Sequence, residues 1–239
     1  MLAKNRDLSG PHRHFQEVFL HDDPASPVGP VLCVGTLGAP GVYSSGINAR
    51  GLAIADTAIQ APRHGVGWLR YLLMTRIAFS CASVEEACDL IAAARHAGGG
   101  SLVLADARGA VASVELLAEG ARIAREAPAF RTNHFLCEPT DDVAARLTKA
   151  AFSSTMGRYA HLRRRLVQGL GSGGVEEVAA AMADHGGAEG GGFCRHGAGD
   201  GSHTVSTSIY LTAQGSLAFA RGKPCEAAWE RGAIGEGAR

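Results

Sequence analysis

Short β-type runs follow one another too closely near the start of this chain for anything but antiparallel pairing. Residues 15–20, 31–35, 41–47 and 52–55 each carry Val, Ile, Leu or aromatic side chains, and turn-like residues separate them. A parallel neighbour needs a crossover of a dozen residues or more, whereas antiparallel strands join through tight turns. Asp22-Asp23-Pro24 and Asn48-Ala49-Arg50-Gly51 supply turn chemistry between these runs.

The period then changes. Trp68, Leu69, Leu72, Leu73, Arg76, Ile77 and Phe79 recur at helical spacing with little polar surface between them, which predicts a buried helix. Ser83-Val84-Glu85-Glu86 has the form of a capping box and opens a second helix through Ala87, Leu90, Ile91 and Ala94, which Gly98-Gly99-Gly100 stops. Strand patterns return at 101–105, 111–116, 121–125 and 129–132. Two more helices are predicted over 156–170 and 175–183, and two last strands over 204–211 and 217–220. Residues from about 226 to 239 read as a disordered tail. Strands, two helices, strands, two helices, strands: this order predicts layered α+β packing in a single domain spanning 1–239. The glycine-rich stretches 186–192 and 197–201 read as a mobile loop within that domain.

Composition removes several functions. The 239 residues hold 23 Lys plus Arg and 23 Asp plus Glu, a formal charge of +0. A neutral chain lacks the basic footprint that phosphate backbones require, so no nucleic-acid partner is expected. No run approaches the ~18 apolar residues of a membrane span, and the charged start lacks the apolar core of a secretory signal. The six cysteines are scattered, with no CxxC pair, and read as thiols in a cytoplasmic protein.

Taken singly, the polar motifs say little. Gly169-Leu170-Gly171-Ser172-Gly173-Gly174 matches a dinucleotide fingerprint literally but follows a helix instead of a strand, so it reads as a helix–helix connection. Cys194, His196, Asp200 and His203 are suitable zinc ligands at a spacing that matches no familiar zinc pattern. Asn133, in Arg131-Thr132-Asn133-His134-Phe135, has a side-chain amide that suits a developing oxyanion if it faces a cleft. Asn5-Arg6-Asp7 reads alone as a frayed terminus. Ser154 or Thr155 reads as a helix cap, and Arg158 with Arg163–165 as one solvated face.

Together and in order, these segments resemble the acyl-coenzyme A:6-aminopenicillanic acid acyltransferase family, also classed as C45 peptidases. The matching stretches are Ala3-Lys4-Asn5-Arg6-Asp7, Gly46-Ile47-Asn48-Ala49-Arg50-Gly51-Leu52-Ala53, Arg131-Thr132-Asn133-His134-Phe135, Ser153-Ser154 with Arg158, and Cys194-Arg195-His196 with 204–210. The resemblance implies a four-layer αββα sandwich of the N-terminal-nucleophile hydrolase type. It also implies an amidohydrolase or acyltransferase acting on a small amide or N-acyl amino compound. In that chemistry an N-terminal cysteine thiol attacks the carbonyl, and its own α-amino group, titrating near ~7.7–8.0, is the base. By the same resemblance Asp7 orients the amine, Asn133 stabilises the oxyanion, and Asn5, His134, Arg158 and Arg195 lie at the substrate. No metal or organic cofactor is implied.

One departure matters. The family cysteine lies on the strand before the Asn-x-Asp segment, and Met1 stands only four residues before Asn5. The sequence is therefore expected to lack the nucleophile strand, its fold N-terminally truncated. Three readings stay open: an enzyme whose cysteine lies upstream, an inactive relative that binds a ligand or partner through the same cleft, and a metal-binding protein using Cys194, His196 and His203. A missing strand leaves an unpaired sheet edge, which invites pairing with a second copy.

Overall fold

The expected antiparallel pairing of short strands forms, except at 129–132. In the computed structural model, which describes residues 1–170, 174–186, 191–197 and 201–235, seven antiparallel strands pair in chain order. They are β2 (Gln16–His21), β3 (Val31–Thr36), β4 (Ser45–Asn48), β5 (Ala53–Thr57), β6 (Ser101–Ala105), β7 (Val111–Leu117) and β8 (Gly120–Ala124). The turn after β4 is held by Asn48. Its Oδ1 accepts the amides of Arg50 and Leu52, while its Nδ2 donates to the Ala78 and Cys81 carbonyls, 3.0 and 2.8 Å away. Gly51 has φ +82°, which only glycine adopts without strain.

The second sheet has four strands in the order β1 (Leu2–Ser9), β9 (Ser202–Leu211), β10 (Ser216–Arg221) and β11 (Trp229–Ala233), so β1 is an edge. A 3₁₀ helix (Gly10–Phe15) links β1 to β2, and the described residues form five α-helices: α1 (Arg70–Ser80), α2 (Val84–Ala93), α3 (Thr140–Arg146), α4 (Lys149–Val167) and α5 (Val175–Met182).

Period-two alternation sorts the side chains into separate layers. Ile54, Leu102 and Leu104 point away from the second sheet and pack with Leu73, Ile77 and Ile91 of α1 and α2. From the other faces, Leu32, Val34 and Ile47 meet Tyr210, Leu217 and Phe219 between the sheets. Ile209 and Ala218 point outward again, against Val178 of α5. Three apolar interfaces thus stack helices, sheet, sheet and helix, the αββα order. A polar seam crosses the middle one: the Ser45 hydroxyl lies 2.9 Å from the Tyr210 hydroxyl and 3.1 Å from that of Ser208.

Several local expectations are corrected. Residues 2–9 are not a frayed terminus but β1, paired along its whole length with β9. Residues 129–132 form no strand; they belong to an irregular segment. The expected disordered tail supplies β11, which pairs with β10. Helix α4 begins at Lys149, where Thr148 Oγ1 accepts the Ala151 amide, so Ser154 and Thr155 lie inside the helix and cap nothing. In α2 the Ser83 hydroxyl accepts the Glu86 amide, but Glu86 accepts from Ala82 instead of closing a reciprocal box. Helix α1 is not buried all round: Leu72 is exposed, while Leu73, Met74 and Ile77 are enclosed. Gly171, Ser172 and Gly173 of the glycine motif lie outside the described residues, and Gly174 immediately precedes α5.

Removing the Tyr210 hydroxyl leaves Ser45 with Ser208 as its one remaining side-chain partner. Tyr210→Phe is expected to cost about 1–3 kcal/mol of unfolding free energy. The measurement is a urea titration, in which the midpoint falls while the slope stays constant.

Candidate active site

A cavity of about 610 Å³ runs beside β1. Every residue from Met1 to Leu8 lines it. A hollow on one face of a strand meets alternate residues only; an unbroken series places this cavity along the strand's unpaired edge. The opposite wall comes from Asp56 and Thr57 of β5, Val103 to Ala105 of β6, the segment 128–133, Arg158 of α4 and Met182 of α5.

Two hydroxyls of β9 fix the polar side chains of β1. Thr204 Oγ1 donates to Asp7 Oδ1 at 2.8 Å, and Thr207 Oγ1 donates to Asn5 Oδ1 at 2.6 Å. The Asn5 amide donates to the carbonyls of Met182 and Phe193, both at 2.9 Å. Both of its N–H donors are thereby used, in tying α5 and the 191–197 loop to the sheet.

The far wall is anchored by Glu115 of β7, 1% exposed. Its carboxylate accepts the amides of Leu136 and Cys137 and lies 3.3 Å from Arg131 Nε. This buried carboxylate holds an otherwise irregular segment in place and so aims Asn133 at the cavity. One Asn133 N–H goes to the Ala58 carbonyl at 2.9 Å, which leaves its second N–H; its Oδ1 accepts from Arg158 Nη2 at 2.9 Å. Asp7 and Asn133, distant along the chain, line the same hollow.

Positive charge prevails around it. Lys4, Arg6, Arg70, Arg131 and Arg158 line the cavity, against Asp7 and Asp56. Lys4 Nζ donates to the Asp56 carbonyl at 2.6 Å, and Arg70 Nε pairs with the Asp56 carboxylate at 2.7 Å. Burial pulls the Lys4 ammonium below its ordinary range, and the nearby charges of Asp56 and Asp7 oppose that pull. Arg6 is buried, with Nη1 on Gln16 Oε1 and its guanidinium 5.2 Å from the Tyr43 ring centre. Lys4, Asp56 and Arg70 escaped the sequence reading, because nothing local marks two strand residues and a helix-start arginine as neighbours.

Two expected substrate residues do not line the cavity. His134 points into the protein, its Nδ1 3.1 and 3.0 Å from the hydroxyls of Thr132 and Thr155 and its ring edge-on to Tyr159. Arg195 reaches Ser154 Oγ at 3.0 Å, behind Arg158, whose Nε reaches the same hydroxyl at 3.4 Å. None of the six cysteines lines the cavity either. Cys33 is fully buried in the sheet, and burial pushes its thiol up to about 12. Among the described residues no helix is long and apolar enough to cross a membrane.

Two stacked antiparallel sheets flanked by helices, with a cavity lined by charged and apolar side chains along the edge of one, define the N-terminal-nucleophile hydrolase fold. Solved structures with this fold match nearly the whole chain. Penicillin V acylase from Agrobacterium tumefaciens matches with a TM-score of 0.59 at 12% identity, over 98% of this chain and 82% of its own. A variant of conjugated bile acid hydrolase from Clostridium perfringens gives 0.55 at 12%, over 97% and 92%. The N-acylethanolamine-hydrolyzing acid amidase ortholog of Caenorhabditis elegans gives 0.55 at 9%, over 88% and 87%. No curated protein sequence matches. The chain belongs to the acyl-coenzyme A:6-aminopenicillanic acid acyl-transferase family, whose pattern matches residues 1–226.

Burial lowers the pKa of His134, with Glu115 opposing and Arg158 and Arg131 reinforcing the effect. An unfolded histidine takes up its proton near pH ~6.5. Below that value the unfolded chain gains protons that the fold refuses, so stability falls with pH until the folded pKa is reached. The loss is at most about 1.4 kcal/mol per pH unit for one histidine. Urea midpoints measured from pH 7.5 down to 5 should fall, and more steeply for the parent than for His134→Asn; equal slopes would contradict this account.

Proposed function

We propose that this chain forms the substrate cavity and charge-stabilising groups of a cysteine amidohydrolase or acyltransferase that acts on a small N-acyl compound. One observation carries the reading: Asp7 and Asn133 line one hollow along the free edge of β1. In this proposal a further strand, upstream of β1 and before the Asn5-Arg6-Asp7 segment, pairs with that edge and carries the nucleophilic cysteine. Its α-amino group takes the thiol proton, and Asp7 holds that amine in place. The thiolate adds to the amide carbonyl, and the second N–H of Asn133 meets the oxyanion. Collapse of the adduct expels the amine, which takes the proton back from the ammonium. Water or another amine then resolves the acyl-thioester.

The cationic lining supports a substrate whose amine or acyl portion bears a carboxylate, with Arg158 the arginine nearest the oxyanion donor. Asn5 acts by clamping α5 and the 191–197 loop, while Arg195 supports Arg158 through Ser154. The size supports a small ligand, since such sites usually occupy ~300–1,000 Å³.

Reading the gene upstream of the Met1 codon in the same frame tests the nucleophile. A cysteine codon a strand's length before Asn5 is expected, and the chain extended to it should hydrolyse N-acyl amino acids. In that enzyme Asn133→Ala should lower kcat by ~10²–10³ with little change in KM. An in-frame stop directly upstream overturns catalysis and leaves a binding protein. For binding, calorimetry with an N-acyl amino acid should show affinity weakened ~10-fold or more by Arg158→Ala, the worth of one charge-assisted hydrogen bond.

A further inference from the structure

Four soft or borderline donor atoms converge at the 191–197 loop, on residues that do not line the cavity. They are the imidazoles of His185 and His196 and the thiols of Cys194 and Cys225, with ligating atoms all within 4.8 Å of one another. His196 Nε2 stands at the centre of contacts. It lies 3.1 Å from His185 Nε2, 3.5 Å from Cys194 Sγ and 3.3 Å from Cys225 Sγ, while the two sulfurs are 3.4 Å apart.

Hydrogen bonding does not account for this knot. A neutral imidazole nitrogen offers one proton or one lone pair, and here three polar atoms crowd a single nitrogen. A tetrahedral zinc site with bonds of ~2.0–2.3 Å has edges of ~3.3–3.8 Å between donors. Four observed separations fall within a few tenths of an ångström of that range. The donor set, two thiolates and two imidazoles, balances a divalent charge without help.

The surroundings complete the pattern. Glu226 Oε1 lies 3.6 Å from His196 Nδ1, and Lys223 Nζ holds the other carboxylate oxygen at 3.2 Å. A carboxylate behind the distal nitrogen of a ligating histidine keeps the metal-facing nitrogen unprotonated and the ring aligned. The set also differs from the one spacing suggested. Asp200 lies outside the described residues, and His203 packs its ring against Gly197 instead of joining the cluster. Cys225 and His185 take their places.

We propose that His185, Cys194, His196 and Cys225 bind one zinc ion, or a similar borderline divalent metal, as a structural site. Binding exchanges two thiol protons for the ion: two S–H bonds break, two metal–sulfur bonds form and two protons pass to solvent, with no redox change. The ion joins the exit of α5, the loop before β9 and the loop after β10. The loop before β9 carries Phe193, whose carbonyl accepts from Asn5 Nδ2, and Arg195, whose amide donates to Thr204 Oγ1 at 2.9 Å. The metal thereby steadies the residues that hold Asp7 without touching the reaction.

Cobalt(II) titration of the fully reduced protein reads this directly. One equivalent should bind with the thiolate charge-transfer band and intense visible absorption of a tetrahedral sulfur site, and zinc should displace it. Cys225→Ser and His185→Ala should each weaken binding at least ~100-fold, Glu226→Gln ~10-fold, and Cys137→Ser not at all. Chelation should lower the Tm of the parent but not of Cys225→Ser. Absence of the charge-transfer band in the reduced parent overturns the proposal, as does a band that survives Cys225→Ser and His185→Ala combined. A Cys194–Cys225 disulfide that forms in air, in a protein whose reduced form takes up no cobalt, would identify a redox thiol pair instead.

Discussion

The ladder between β1 and β9 is the contact on which the site depends. It joins residues about two hundred positions apart, from Leu2 opposite Tyr210 to Ser9 opposite Ser202. Backbone pairing alone would leave a polar, three-charge strand loosely held at a sheet edge. Side chains lock it: the threonine hydroxyls of β9 hold Asn5 and Asp7, and Asn5 in turn receives α5 and the following loop. Every other wall of the cavity is built against that edge.

Placing the cavity between a free strand edge and the mouth of a two-sheet stack has an electrostatic effect. Lys4, Asp56 and Arg70 are partly withdrawn from water, where Coulombic interactions are several-fold stronger than at an open surface. A carboxylate or developing oxyanion entering this space meets fixed donors and needs little reorganisation of solvent. The irregular segment opposite β1 is affordable because Glu115, itself buried, satisfies its backbone amides and pairs with Arg131.

Much of this was legible in the sequence, and the failures share a cause. Period and turn chemistry located β2 through β8 and both α1 and α2, because each signal is local. Strand β1 was missed as an element: Lys4-Asn5-Arg6-Asp7 has low strand propensity and becomes ordered only through β9, far along the chain. The ordered family motifs nevertheless drew Asp7, Asn133 and Arg158 to one site, which local patterns could not. His134 does not line the cavity, because Thr132 and Asn133 face it while the His134 side chain turns inward to Thr132 and Thr155. Cys225 and His185 carried no signal, since the spacing of ligands drawn from three loops is set by tertiary packing.

The β1–β9 ladder is not quite regular. Its register shifts between Arg6 and Asp7, which face Ser206 and Thr204, so that Val205 has no opposite number. One surplus residue in β9 lets threonines three positions apart serve two β1 side chains only two positions apart. Deleting Val205 would give a flush ladder and a worse protein. The pairs on either side would keep their partners, but the bend and added twist that the bulge puts into β9 beside Asp7 would be lost. Here an irregularity of a single peptide is what sets the phase between two distant parts of the chain.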